Sequence, residues 1–169
     1  SKEQRKLRNK HGIHTEFQAK YSFYDLGFNL RPTEITGFLG VNQLQYLEKT
    51  ILKREENHKI LEKVVIENDD LIFIKHEHIN LLSGFAFPVI TKSTSLRDKY
   101  IGQFSGAGVE VRPIISGNIQ FQPFYKKYVK NIRDLPNASF IHENGFYFGN
   151  YPELNNSDLE ILINCLTKY

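Results

Sequence analysis

The first sustained apolar period in the chain begins after residue 33. Ile35, Phe38, Leu39, Leu44, Leu47, Ile51, Leu52, Ile60 and Leu61 recur at near-helical spacing and predict one long helix from Thr33 to about Val65. Thr33 stands where it can cap that helix, and Glu34 favours the positive end of the dipole. Gly37 and Gly40 only cost helix stability unless another backbone packs closely there, so they predict such a contact. The run from Lys53 to Lys59 is polar and predicts a solvated stretch of the same helix. A helix of that length in a small protein suggests a spine joining two parts of a larger molecule.

From Leu71 the period shortens. Leu71 to Ile74 is β-like, and Ser83 to Ile90 reads as a strand with Pro88 tolerated at an edge or an end. Thr94 and Ser95 start a helix with Leu96, Tyr100 and Phe104 on one face, stopped by Gly106 and Gly108. Val109 to Ile115 predicts a strand, Ser116-Gly117-Asn118 a turn, and Phe121 to Val129 a short helix with Pro123 in its first turn. Asn137 to Asn144 predicts another short helix, and Gly145 to Asn150 a strand closed by a turn. Ser157 and Glu160 have capping-box spacing before a last helix whose core face is Leu159, Leu162, Ile163 and Leu166.

Residues 1–20 lack an apolar period and read as an exposed lead-in with a short helix; Tyr21 to Leu30 reads as an aromatic-rich loop. This order implies an α+β fold with a small, mainly antiparallel sheet and helices packed on it.

Composition narrows the classes. A chain of 169 residues holds one domain with at most an appendage, and 40% hydrophobic with 24% charged residues is ordinary for a soluble globular protein. Thirteen Phe and nine Tyr supply enough large buried surface for a core. A formal charge of +3 is too balanced to point to nucleic acid or an anionic membrane, despite Lys2, Arg5, Lys6, Arg8 and Lys10. The single cysteine, Cys165, excludes an internal disulfide and reads as a small buried hydrophobe. No apolar run approaches the roughly 20 residues of a membrane span, and no apolar leader is visible, so the expected location is cytoplasmic.

The residues that could carry chemistry are few. No phosphate-binding glycine loop or nucleophile elbow is present. His76 and His78 would point the same way on a strand, but no third ligand is evident, so they read as exposed loop histidines and no metal site is expected. Asn29 and Arg31 precede a helix start, where free backbone N–H groups attract phosphate; the competing reading is a turn-shaping Asn and a solvated Arg. Arg112, ahead of Ser116-Gly117-Asn118, suits a diphosphate or a sugar hydroxyl. His142 lies just before Gly145-Phe146-Tyr147 and could donate to a sugar oxygen, or simply end a helix.

At these residues the chain resembles a known family. Gly27-Phe28-Asn29-Leu30-Arg31-Pro32-Thr33-Glu34-Ile35 is similar to the Gly-(Tyr/Phe)-Asn-x-Arg-x-(Thr/Ser)-(Asp/Glu) motif of pyridoxal-phosphate-dependent sugar aminotransferases and dehydratases. Arg54 to Asn57 resembles that family's Arg-x-x-Asn on its long helix. Val111 to Asn118 with Gln122-Pro123, and Asn137 to Asn150, resemble the branch of nucleotide-sugar 3-dehydratases acting on GDP- and CDP-linked 4-keto-6-deoxy sugars. Thr36-Gly37 departs from the usual Gln-Ala, and Pro32 from a small or apolar residue.

The resemblance implies the C-terminal part of a fold-type-I, aspartate-aminotransferase-like homodimer. Residues 1–32 would lead in from a large domain, and residues 33–169 would form the small α+β domain with its connecting helix. It implies that Asn29 reaches the phosphate of pyridoxal or pyridoxamine 5'-phosphate in the other subunit. Arg31, Arg112, Asn118 and His142 would meet a nucleotide-linked 4-keto sugar. The catalytic His of a dehydratase, or Lys of an aminotransferase, would lie upstream, so the chain alone would be inactive. The implied activity is 3-dehydration in deoxysugar synthesis for lipopolysaccharide or another surface glycan. The alternatives are a nucleotide-sugar 4-aminotransferase and, from another class, a non-catalytic binding module.

Overall fold

A computed structural model of the chain describes residues 2–27 and 33–168. The elements run α1 (Lys2–Lys10), α2 (Glu16–Ala19), α3 (Glu34–Leu44), α4 (Leu47–Glu67), β1 (Ala86–Ile90), α5 (Thr94–Gly106) and β2 (Val111–Pro113). A single 3-10 turn (Ile119–Phe121) then precedes α6 (Pro123–Tyr128), α7 (Pro136–Asn144), β3 (Gly145–Gly149) and α8 (Asn156–Leu166).

The strands form one antiparallel sheet in the order β1-β3-β2, as the α+β expectation requires. Pro88 therefore lies on an edge strand, where its missing N–H breaks no ladder. The register aligns Phe87, Phe148 and Val111 across all three strands. That row faces the core: Phe87 and Phe148 stack with centroids 5.4 Å apart, and Phe104 of α5 stacks on Phe148 at 4.9 Å. Leu61 and Val65 of α4, and Leu162, Cys165 and Leu166 of α8, close the same cluster. The opposite face carries Arg112 paired with Tyr147, because strand side chains alternate.

Four sequence expectations need correction. The long helix is two helices, with Gln45 ending α3 and Tyr46 preceding α4. At the break the Asn42 amide donates to the Phe38 carbonyl and the Gln45 amide to the Asn42 carbonyl, so side chains take carbonyls near the end of α3. A Cβ added at Gly37 or Gly40 would meet nothing within 4 Å, so no backbone packs on them among the described residues. The polar run of α4 is not wholly solvated: Asn57 is fully buried and His58 is 8% exposed. The capping box lies two residues earlier than read, between Asn155 and Asp158.

Smaller differences follow from tertiary context. Leu71 makes only an isolated bridge to Thr91 rather than a strand. The lead-in is docked, not free: Lys20 donates to the Val111 carbonyl at 2.8 Å, and the Phe124 N–H donates to the Phe23 carbonyl at 3.0 Å. Arg97 fastens this region to α7. It donates to the Glu143 carbonyl and lies 5.8 Å from the centroid of the Phe17 ring. The α3 face is not buried, with Ile35, Phe38, Val41 and Leu44 all more than 60% exposed.

Candidate functional site

Arg112 is set by its strand. It points away from the core, where its Nη1 donates to the Tyr21 hydroxyl at 2.7 Å and its Nε to Glu110 Oε1 at 2.8 Å. These bonds raise the guanidinium above its usual range, while the Arg112 bond holds Glu110 below the usual carboxylate value. Burial raises the Tyr147 phenol, and its contact with Tyr21 adds to this.

Beside this cluster lies a cavity of about 540 Å³, lined by Arg54, Glu110, Arg112, Tyr147, Tyr151 and Asp158 among others. Arg54 comes from α4, and its buried Nε has no hydrogen-bond partner. The Arg54 segment is held because the Asn150 amide donates to the Arg54 carbonyl at 3.0 Å, and the Asn57 amide to the Tyr151 carbonyl at 3.0 Å. Gly149 makes room for this wall, since a Cβ there would stand 2.3 Å from the Tyr151 ring. Two guanidiniums suit phosphate oxygens, and the carboxylates of Glu110 and Asp158 suit hydroxyl donors. Among the described residues, no lysine or histidine lines this cavity.

His142 is in a second place. It lines a cavity of about 200 Å³ with His11, Tyr21, Ser116, Gln122 and Lys126. Its ring meets Phe121 edge-on, with centroids 5.2 Å apart. Gln122 builds this pocket: its amide donates to the Tyr21 and Ser116 carbonyls, both at 3.2 Å, and its Oε1 accepts from the Phe23 N–H at 2.9 Å. Tyr21 thus borders the His142 cavity while bonding Arg112 of the larger one.

Asn118 is 2% exposed. Its amide donates to Ser139 Oγ at 3.0 Å, and its Oδ1 accepts from the Gln120 N–H at 3.1 Å. It caps the 3-10 turn and ties it to α7. Asn29 and Arg31 lie outside the described residues. Sequence reading did not place Arg54, Glu110 or Tyr147 in a cavity; only the similarity of Arg54 to a family motif drew notice to it.

Burial lowers His142 from its usual 6.5; Arg97 adds to this and Glu143 opposes it. A histidine with a depressed folded pKa contributes stability above its unfolded value, and that stability is lost as pH falls through 6.5 toward the folded pKa. Urea midpoints should therefore drop as pH falls below about 7, and His142→Gln should flatten part of that slope. An unchanged slope would remove His142 as a cause.

Of the two histidines read as exposed loop residues, His78 is exposed and His76 is half-buried. Its Nε2 lies 2.5 Å from Glu62 Oε1 of α4, and His58, one turn earlier, lies with its Nε2 3.7 Å from the same oxygen. Two of the three groups, His58 and Glu62, thus come from α4, and His78 is not among them. Among the described residues no helix is long and apolar enough to cross a membrane.

The chain matches the model of the DegT/DnrJ/EryC1/StrS aminotransferase family over residues 1–167. It is 27% identical over 138 residues to the GDP-4-keto-6-deoxy-D-mannose 3-dehydratase of Escherichia coli O55:H7, covering 80% of this chain and 36% of that protein. To the enzyme of the same name from Yersinia pseudotuberculosis it is 28% identical over 162 residues, covering 90% of this chain and 39% of that one. A solved structure of GDP-4-keto-6-deoxymannose-3-dehydratase with a trapped PLP-glutamate geminal diamine superposes with a TM-score of 0.70 at 27% identity, covering 90% of this chain and 40% of that one. The chain spans about two-fifths of the length of these relatives.

Proposed function

We propose, from the premise that this chain belongs to the DegT/DnrJ/EryC1/StrS aminotransferase family, that it is the C-terminal part of a pyridoxal- or pyridoxamine-phosphate-dependent nucleotide-sugar 3-dehydratase. The observation that carries the reading is the pairing of Arg54 and Arg112 on one cavity with the carboxylates of Glu110 and Asp158. That donor and acceptor set fits a diphosphate joined to a sugar. The two relatives named above are 3-dehydratases, which favours this over a 4-aminotransferase, the second reading.

In this reading Arg112, fixed by Tyr21 and Glu110, holds the anionic part of a nucleotide-linked 4-keto sugar. Tyr147 and Tyr151 wall the cavity. Asn29 and Arg31 serve the cofactor phosphate and the substrate of a neighbouring subunit in a homodimer. When bound, the cofactor supplies the amine and the electron sink for removal of the 3-hydroxyl. The proton-transfer residue lies in polypeptide beyond this chain, a His for dehydration or a Lys for transamination. The exposed apolar residues of α3 would be covered by that further polypeptide. Residues 1–32 would be its extension onto the small domain, which fits the docking of Lys20 and Phe23.

The test is Arg112→Ala in the full-length protein. The KM for the nucleotide sugar should rise about tenfold, as expected for loss of a charge-assisted contact, with cofactor retention unchanged. Equal KM values would reject Arg112 as a substrate contact. Loss of cofactor without a change in KM would reassign Arg112 to the cofactor.

A further inference from the structure

We infer that His58, Glu62 and His76 form a binding site for a divalent metal ion of the zinc class, which staples the segment after α4 back onto that helix. His58 and Glu62 are four residues apart on α4 and share one face. One ligand atom from each of the three residues lies within 4.8 Å of the others. Ligands about 2.0–2.1 Å from a tetrahedral ion stand roughly 3.4 Å apart. The 3.7 Å between His58 and Glu62 already matches that spacing. The 2.5 Å contact of His76 with Glu62 would have to open, and His76 is on a loop with its side chain 29% exposed.

The state of His58 is a second, independent observation. The residue is 8% exposed, its Nδ1 is buried without a partner, and its Nε2 is too far from Glu62 for a hydrogen bond. Of the two ring nitrogens it is Nε2 that faces Glu62, while the buried Nδ1 points elsewhere. An ion at the cluster would give Nε2 its partner and neutralise Glu62 between two neutral rings. Two imidazoles among three donors select Zn²⁺ or Co²⁺ over Mg²⁺ or Ca²⁺.

The fourth position opens on a cavity of about 380 Å³, with Val65, Ile72 and Phe87 in its wall. That leaves space for a water ligand, as in three-residue zinc sites. The exposed Lys75 also lines the cavity, but its flexible stem lets the ammonium turn to solvent.

The test is Co²⁺ titration of the 169-residue chain, followed by the visible bands of tetrahedral cobalt and by displacement with Zn²⁺. One equivalent should bind, Zn²⁺ should raise the Tm, and excess Mg²⁺ should not compete. His76→Gln should weaken Co²⁺ binding at least about tenfold and abolish the Zn²⁺-dependent rise in Tm. His14→Gln should change neither. No tetrahedral band in the unmodified chain, equal binding by His76→Gln, or equal weakening by His14→Gln would each overturn the site. Should His76→Gln fail to fold, Glu62→Gln and the band of the unmodified chain decide by the same criteria.

Discussion

Phe104→Ala should lower the unfolding free energy by about 3–5 kcal/mol, read as a fall in the urea midpoint at constant slope. Phe104 is fully buried on α5 and forms the bridge between helices and sheet. Its ring stacks on Phe148 at 4.9 Å and meets Phe146 edge-on at 5.5 Å, and both partners belong to the central strand. Truncation removes the transfer energy of the ring and leaves a cavity that the rigid row Phe87-Phe148-Val111 cannot collapse to fill. Domains of this size are stable by only about 5–15 kcal/mol, so a measurable unfolded fraction is expected near body temperature. Phe85→Ala is the comparison: that side chain is 66% exposed and should cost less than about 1 kcal/mol. Similar losses for the two variants would mean that the core is not organised around the central strand.

Gly117→Ala should cost about 3 kcal/mol, from two causes that can be separated. Gly117 has φ +63°, and an added Cβ would stand 2.1 Å from His142 Nδ1. The left-handed backbone accounts for about 1–2 kcal/mol in a non-glycine residue, and the clash for a similar amount. Gly108→Ala isolates the first cause: its φ is +77°, and nothing lies within 4 Å of the added Cβ. It should cost about 1 kcal/mol. His142→Ala placed in the Gly117→Ala background should recover the clash portion, measured as non-additivity in a double-mutant cycle. Strict additivity would show that the turn relaxes away from His142. That contact also explains why a Ser-Gly-Asn turn lies beside His142: the glycine lets the chain approach the ring that lines the smaller cavity.

Much of the local structure is readable from neighbouring residues. Thr33 caps α3 by accepting from the Thr36 N–H at 3.3 Å, and the Leu96, Tyr100 and Phe104 spacing does mark the helix α5. Pro123 and Pro136 start their helices, and the Gly145–Gly149 strand closes where a turn was expected. Errors arose where a local signal had two meanings. Ser157 and Glu160 have the right spacing for a capping box, but Asn155 and Asp158 win, because both halves of their exchange form: the Asp158 N–H donates to Asn155 Oδ1, and the Asn155 N–H to Asp158 Oδ2, each at 3.0 Å. Apolar periodicity ran through residues 45 and 46 without marking the break, since Gln45 and Tyr46 both keep right-handed helical backbone angles.

What the amino-acid order determined by itself was most of the helices and strands, the fold class and the family, because periodicity, caps and motifs are written within short stretches of chain. What only the tertiary structure decided was which polar groups meet. Arg54 and Arg112 share a cavity because α4 and the β2 edge pack around the Gly149–Tyr151 corner. His76 reaches Glu62 and His58 because the segment after α4 folds back along that helix. Asn118 points inward because α7 offers it Ser139. Such encounters depend on sheet register and helix docking between residues distant in sequence, and no spacing along the chain encodes them.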